Sequence, residues 1–269
     1  MLQISSGAAL TLTSLYSDKE VQINTLYASG TANLSGKMYV DTMCVGSELD
    51  LGDGVTIYRA VTSSIKVTNN GSSMGTQITQ AFASWMEITG QFTGTDLYAT
   101  NYITLDNSST YSSDTIAIAN AYTVTFNADC NSAAIQTISA EATLNLNGNT
   151  TISDAILCAG TVTLKDNSDG GDISANTTYL YDNSVAASIN GGNSPVYIDG
   201  AASVSGELTT GSTLYWSSTG TIDSGTVQSI DIASGYTDPG VTVDSGYTST
   251  AISYTFTSPS WSTACQGLI

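Results

Sequence analysis

The amino-acid sequence predicts an all-β fold, a single-stranded parallel β-solenoid of about 17–18 residues per coil. Three observations predict it. A short unit, apolar–any–apolar followed by a turn of Asn, Asp, Gly or Ser, recurs along the chain. Between residues 144 and 232 the units follow one another at steps of about 18, 17, 17, 18 and 16 residues, which is repeat regularity. The composition is that of strands: Thr, Val, Ile, Tyr and Gly abound, helix formers such as Glu, Lys, Arg and Gln are scarce, and there are 3 Pro.

Taken in chain order, the early units are Val21-Gln-Ile23, Met38-Tyr-Val40, Leu49-Asp-Leu51, Ile65-Lys-Val67, Met86-Glu-Ile88, Ile103-Thr-Leu105 and Val124-Thr-Phe126. The later ones are Leu144-Asn-Leu146, Val162-Thr-Leu164, Tyr179-Leu-Tyr181, Val196-Tyr-Ile198, Leu214-Tyr-Trp216, Ile230-Asp-Ile232 and Val241-Thr-Val243. Alternation over three or four residues is strand periodicity, and the Asx/Gly cluster that follows turns the chain. A second apolar residue stands in each later period (Ile152, Ile173, Ile189, Val204, Ile222). The expectation is two or three short strands per coil, each sending an apolar side chain inward. An antiparallel sandwich needs longer strands joined by hairpins, so the solenoid is preferred.

One segment breaks the rhythm. Ile78, Phe82, Trp85, Met86 and Thr89 fall at i, i+4, i+7, i+8 and i+11, which predicts a short amphipathic helix inserted at 76–91. The expected organisation is a solenoid over 1–250, interrupted by that insertion, and a C-terminal cap or tail over 251–269.

Charge narrows the function classes. With 5 Lys+Arg against 23 Asp+Glu and a net charge of −18, the chain cannot neutralise a run of phosphates, so no nucleic-acid partner is expected. With no His there is no Ser–His triad and no His-ligated zinc. No stretch approaches the roughly 18 apolar residues of a membrane span. An acidic, Ser/Thr-rich, Lys-poor chain fits an extracellular or cell-surface location. The four cysteines, Cys44, Cys130, Cys158 and Cys265, form no CxxC pair. They read as small buried apolar residues, or as a disulfide involving Cys265.

Two groups are candidate sites. Tyr179, Tyr181, Tyr197, Tyr215 and Trp216 fall in consecutive repeats. Pointing outward in register they form a ladder for sugar rings; pointing inward they are stacked core. Asp166, Asp169 and Asp172, with Gly170 and Gly171 among them, supply oxygen ligands for Ca2+ or make a solvated Asx turn. No other cofactor is expected. A carboxylate pair, Asp182 and Asp199, stands one coil apart, the requirement for glycoside hydrolysis, although repetition alone brings them there.

Residues 206–225 (GELTTGSTLYWSSTGTIDSG), Ile4-Ser-Ser-Gly7-Ala-Ala-Leu-Thr-Leu12 and Val243-Asp-Ser-Gly246 resemble passenger repeats of AIDA-like autotransporter adhesins. The shared pattern is V-x-SGG-x-A followed by V-x-x-G, over about half the chain. The resemblance implies a right-handed parallel β-helix on a bacterial surface, used for adhesion or self-association, with no catalytic residues to carry over. The first residues lack a signal-peptide pattern and the last lack a membrane-barrel pattern. A fragment of a longer exported protein, or another export route, is therefore expected. The function expected is a non-enzymatic structural or adhesive solenoid contacting glycans, surface proteins or itself. The rivals are a carbohydrate-active β-helix enzyme and a phage-type fibre.

Overall fold

The structure, a computed structural model, describes residues 2–4, 10–13, 20–68, 75–106, 114–127 and 133–265. Strands make up 70% of these residues, and they stack in parallel as about twelve turns of a β-solenoid. The chain forms two compact units, Met1–Ala121 with Thr257–Ile269, and Tyr122–Phe256.

In the first unit the strands are β1 (Leu2–Ile4), β2 (Leu10–Thr13), β3 (Val21–Ala28), β4 (Ala32–Ser35), β5 (Met38–Leu51), β6 (Val55–Thr68), β7 (Thr76–Thr89) and β8 (Phe92–Asp106). Strand β5 pairs with β6, β6 with β7 and β7 with β8, all parallel, one coil to the next. Strand β9 (Asp114–Phe126) contains the boundary. The second unit continues with β10 (Ala133–Leu146), β11 (Thr151–Leu164), β12 (Asp172–Leu180), β13 (Val185–Ala186), β14 (Ser188–Asn190), β15 (Val196–Gly200), β16 (Ser203–Ser218), β17 (Ile222–Ile232) and β18 (Thr242–Val243). Here too every pairing is parallel, β10 with β11, β11 with β12, β12 with β14 and β15, and these with β16.

Most coils are a single long bent strand rather than two or three short ones. Strands β5, β6, β7 and β8 each turn three pairs of residues inward: in β5 these are Met38 and Val40, Met43 and Val45, Leu49 and Leu51. Within a pair the spacing is two, as strand alternation requires; across each corner it widens. Corners coincide with register shifts, such as that between Val45 and Glu48. Like packs on like along each inner column, so every coil is held by its two neighbours.

This pattern corrects the helix expected at 76–91. The segment is β7, and its buried residues are Thr76, Ile78, Ala81, Ala83, Met86 and Ile88. Steps of two and three, produced by two corners, mimic helical periodicity in the sequence. Phe82 and Trp85, counted on the helix's apolar face, lie on the outer side of the strand and are only partly buried.

The unit expected at Tyr179-Leu-Tyr181 is also out of phase by one residue. Thr178 and Leu180 pair with Val196 and Ile198 and are fully buried, so the inward dipeptide positions are 178 and 180. Ile152, Ile173, Ile189, Val204 and Ile222 are all buried, as expected. Val21 and Val243 are exposed, at 43% and 53%.

In the second unit the C-terminal segment runs back across successive coils. The Ser249 amide donates to Asn193 Oδ1 (3.2 Å), the Ile252 amide to Asn176 Oδ1 (2.8 Å), and the Phe256 amide to Glu141 Oε2 (3.3 Å). In the first unit a 3-10 turn (Ser260–Cys265) ends in a disulfide between Cys265 and Cys44, with Cα atoms 5.7 Å apart. Cys158 is a free buried thiol, and Cys130 lies outside the described residues.

Candidate functional site

Alternation along β12, β15 and β16 decides where the predicted aromatics point. Because Leu180, Ile198 and Leu214 face inward, their neighbours Tyr179, Tyr197 and Tyr215 face outward. The parallel register sets Tyr197 over Tyr179 and Tyr215 over Tyr197. Their ring centres are 4.6 Å apart at both steps, with planes within 10° and 4° of parallel. That separation is one inter-strand spacing, so the rings lie across the solenoid axis, face on face.

Tyr181 joins this face from the end of β12. Its ring is within 9° of parallel to that of Tyr179, with centres 6.0 Å apart. Residues i and i+2 on a strand are about 6.6 Å apart, so the two rings sit side by side in one coil. The Lys165 ammonium lies 5.7 Å from the Tyr181 ring centre, a cation–π contact from the preceding coil. Thr163 stands under Tyr179, and Asn145 stands under Thr163. Where the column changes from Tyr to Thr it leaves a shallow depression of about 520 Å3, lined by Asn145, Thr163, Lys165, Tyr179, Tyr181 and Asp182.

Trp216 departs from the expected ladder. It is 2% exposed, it continues the inner column between Ile198 and Ile232, and its Nε1 donates to the Thr237 carbonyl at 2.9 Å. Adjacent residues of a strand face opposite ways, so Tyr215 and Trp216 cannot share a surface.

The three aspartates of the Ca2+ reading engage separately. Asp166 sits in a left-handed turn (φ 59°) and its Oδ2 accepts the Gly148 amide at 2.9 Å. Asp169 Oδ1 accepts the Gly171 amide at 3.1 Å, and Asp172 Oδ1 accepts the Ser188 hydroxyl at 2.6 Å. Among the described residues no three acidic or thiol groups are grouped to hold a metal. Asp169 makes an Asx turn, its Oδ1 accepting the amide two residues on, whereas Asp166 bonds across coils from a left-handed turn. One coil on, Asp182 (φ 58°) repeats that turn, and its Oδ2 accepts the Asp166 amide at 3.3 Å. Asn149, Asn167 and Asn183 form an amide ladder beside it, at 3.0 and 3.3 Å. Asp182 therefore stacks between Asp166 and Gly200, while Asp199 accepts the Ser217 hydroxyl at 3.0 Å in the neighbouring column. The carboxylate pair expected one coil apart is thus divided between two columns, because that coil is 18 residues long rather than 17.

Comparison with protein-family models, curated proteins and solved structures found no match. The chain's own geometry has to carry the functional reading. The sequence reasoning missed Lys165, Thr163 and Asn145 as neighbours of the tyrosines. Their signal was positional, one coil upstream in the same column, and the phase error at 179 concealed it.

The stacked phenols have an electrostatic signature. Burial, then the neighbouring hydroxyls of Tyr179 and Tyr215, raise the Tyr197 pKa above its ordinary 10.0. Burial, then Tyr179, Asp199 and Tyr197, raise that of Tyr181. A raised phenol pKa means the neutral form is favoured in the fold. This contribution is complete below about pH 10 and is lost as pH rises through the folded-state value. Wild-type protein is therefore expected to lose melting temperature more steeply than Tyr197→Phe as pH rises above about 10, with no difference in slope below it. Equal slopes for the two proteins would remove the stacked phenols as the cause.

Proposed function

We propose that the chain is an exported, non-enzymatic β-solenoid that acts as a structural or adhesive surface, contacting glycans, proteins or further copies of itself outside the cell. One observation carries the reading: a parallel stack of coils turns a row of tyrosines, Tyr179, Tyr197 and Tyr215, onto one outer face with Tyr181 beside them. Tyrosine is apolar over its ring and polar at its tip, and it is enriched where proteins meet partners. The Cys44–Cys265 bridge supports an oxidising compartment. The resemblance to AIDA-like passenger repeats supports the bacterial surface as its setting, and the composition supports an extracellular one.

The test joins three measurements on the wild-type chain. Binding to glycan arrays and to intact bacterial cells is expected, and the bound sugars are expected to be recovered uncleaved. Sedimentation is expected to give a monomer or a concentration-dependent self-association. Release of oligosaccharide products would replace this reading with a β-helix enzyme, and a stable trimer would replace it with a fibre.

A further inference from the structure

The outer tyrosines do not offer their ring faces equally. Tyr197 has a parallel ring 4.6 Å away on each side, so both its faces are covered and only its edge and hydroxyl are free. Tyr215 covers one face on Tyr197, and Asp231 stands over it from the next coil. At the opposite end the arrangement changes. Tyr179 is followed by the smaller Thr163, and the ring of Tyr181 lies beside it, nearly parallel, with the Lys165 ammonium 5.7 Å from its centre. Two aromatic rings therefore share one ledge, above the depression of about 520 Å3.

The ledge has the chemistry of a sugar subsite. A pyranose ring carries C–H groups on its faces and hydroxyls around its rim. Its apolar face covers aromatic carbon while its hydroxyls need both donors and acceptors. The depression supplies both: an amide from Asn145, a hydroxyl from Thr163, an ammonium from Lys165 and a carboxylate from Asp182. Tyr179 supplies the open aromatic face, and the parallel Tyr181 ring, with the Lys165 ammonium 5.7 Å from its centre, flanks it 6.0 Å away. Charge selects further. The Tyr122–Phe256 unit has one Lys, Lys165, against thirteen Asp and Glu, so its field repels anionic ligands.

We propose that the ledge formed by Tyr179 and Tyr181 over Thr163, rimmed by Asn145, Lys165 and Asp182, is a binding subsite for an uncharged pyranose of an oligosaccharide. The inference rests on the adhesive reading above and names the place and class of its ligand. Bound sugar lies flat under Tyr179, flanked by Tyr181 and its Lys165 ammonium, and Tyr197, covered on both faces, contributes only through its edge.

Thr163→Tyr is the decisive variant. It extends the stacked column by one ring, which fills the ledge and covers Tyr179 while preserving the fold. Calorimetric titration uses cellotetraose, maltotetraose and mannotetraose, with tetragalacturonate as the charged counterpart. At least one neutral tetrasaccharide is expected to bind, and Thr163→Tyr and Tyr181→Ala each to weaken it at least tenfold. Tyr215→Ala, at the far end of the column, is expected to leave affinity within twofold, and tetragalacturonate to bind at least tenfold more weakly. Thermal melts keep the readout honest: Thr163→Tyr should unfold no earlier than wild type. Neutral-sugar binding that survives Thr163→Tyr, or that depends on Tyr215 instead, overturns the ledge and leaves the adhesive reading standing. Binding of the uronate equal to the neutral sugars overturns the class of ligand. Absence of binding to these sugars, with adhesion to cells retained, also overturns the ledge; loss of all adhesion in wild type overturns the parent reading.

Discussion

Cys265→Ala is expected to lower the stability of the Met1–Ala121 unit by about 2–5 kcal/mol. The bridge to Cys44 spans 221 residues of sequence, so opening it releases a long closed loop in the unfolded chain. Packing adds to this. Cys44 is fully buried between Met43 and Val45, which are also fully buried. Strand alternation accounts for Met43 and Val45, which face inward, but not for Cys44, which faces out. What covers it is the C-terminal turn. Outward residues of successive coils, Tyr27, Cys44, Val61, Phe82 and Tyr98, stand in one register column. Cys265 and Trp261 pack on its apolar members, with Trp261 edge-on to Tyr98 at 6.0 Å and Arg59 5.8 Å from the indole. Denaturant unfolding followed by Trp fluorescence checks the prediction. The wild type under reductant should match the oxidant-insensitive variant, and Trp261 should become more exposed in both. Coincident unfolding of oxidised wild type and Cys265→Ala would show that the bridge holds nothing.

Leu180→Ala is expected to cost about 2–5 kcal/mol, the usual range for removing a buried leucine side chain. Leu180 is fully buried in the inner column Leu146, Leu164, Leu180, Ile198, Trp216 and Ile232. It also separates the two tyrosines of the ledge in sequence, so the cavity it leaves lies directly behind them. Coils contact only their neighbours, so the loss should centre on the Tyr122–Phe256 unit. Leu180→Met keeps volume and is expected to cost less than about 1.5 kcal/mol. Thermal unfolding of the three proteins, with Tyr fluorescence as the local reporter, makes the comparison. Equal midpoints for Leu180→Ala and wild type would mean that the column is not closely packed.

Much of this architecture was legible in the residues. Repeating apolar–any–apolar units, even spacing and Asx/Gly turns specify parallel coils, because only stacking lets each coil bury its inner face. The inward role of Ile152, Ile173, Ile189, Val204 and Ile222 followed from the same rhythm. Phase was harder to read. Thr178-Tyr-Leu180 and Tyr179-Leu-Tyr181 both scan as strand units, and a shift of one residue exchanges the core for the surface. The inner column chose between them by placing Leu180 on Leu164. Segment 76–89 failed for a related reason, since two corners inserted into a strand give spacings that a helix also gives.

By itself, then, the order of residues determined the fold class, the acidic character and the row of tyrosines, because periodicity and composition act locally and survive in one dimension. Which tyrosine faces are covered, where Lys165 and Thr163 meet them, and that Cys265 reaches back to Cys44 were decided only by tertiary structure. Those contacts join residues 16 to 221 positions apart, and their partners follow from coil length and corner geometry, which only the stacking of neighbouring coils sets.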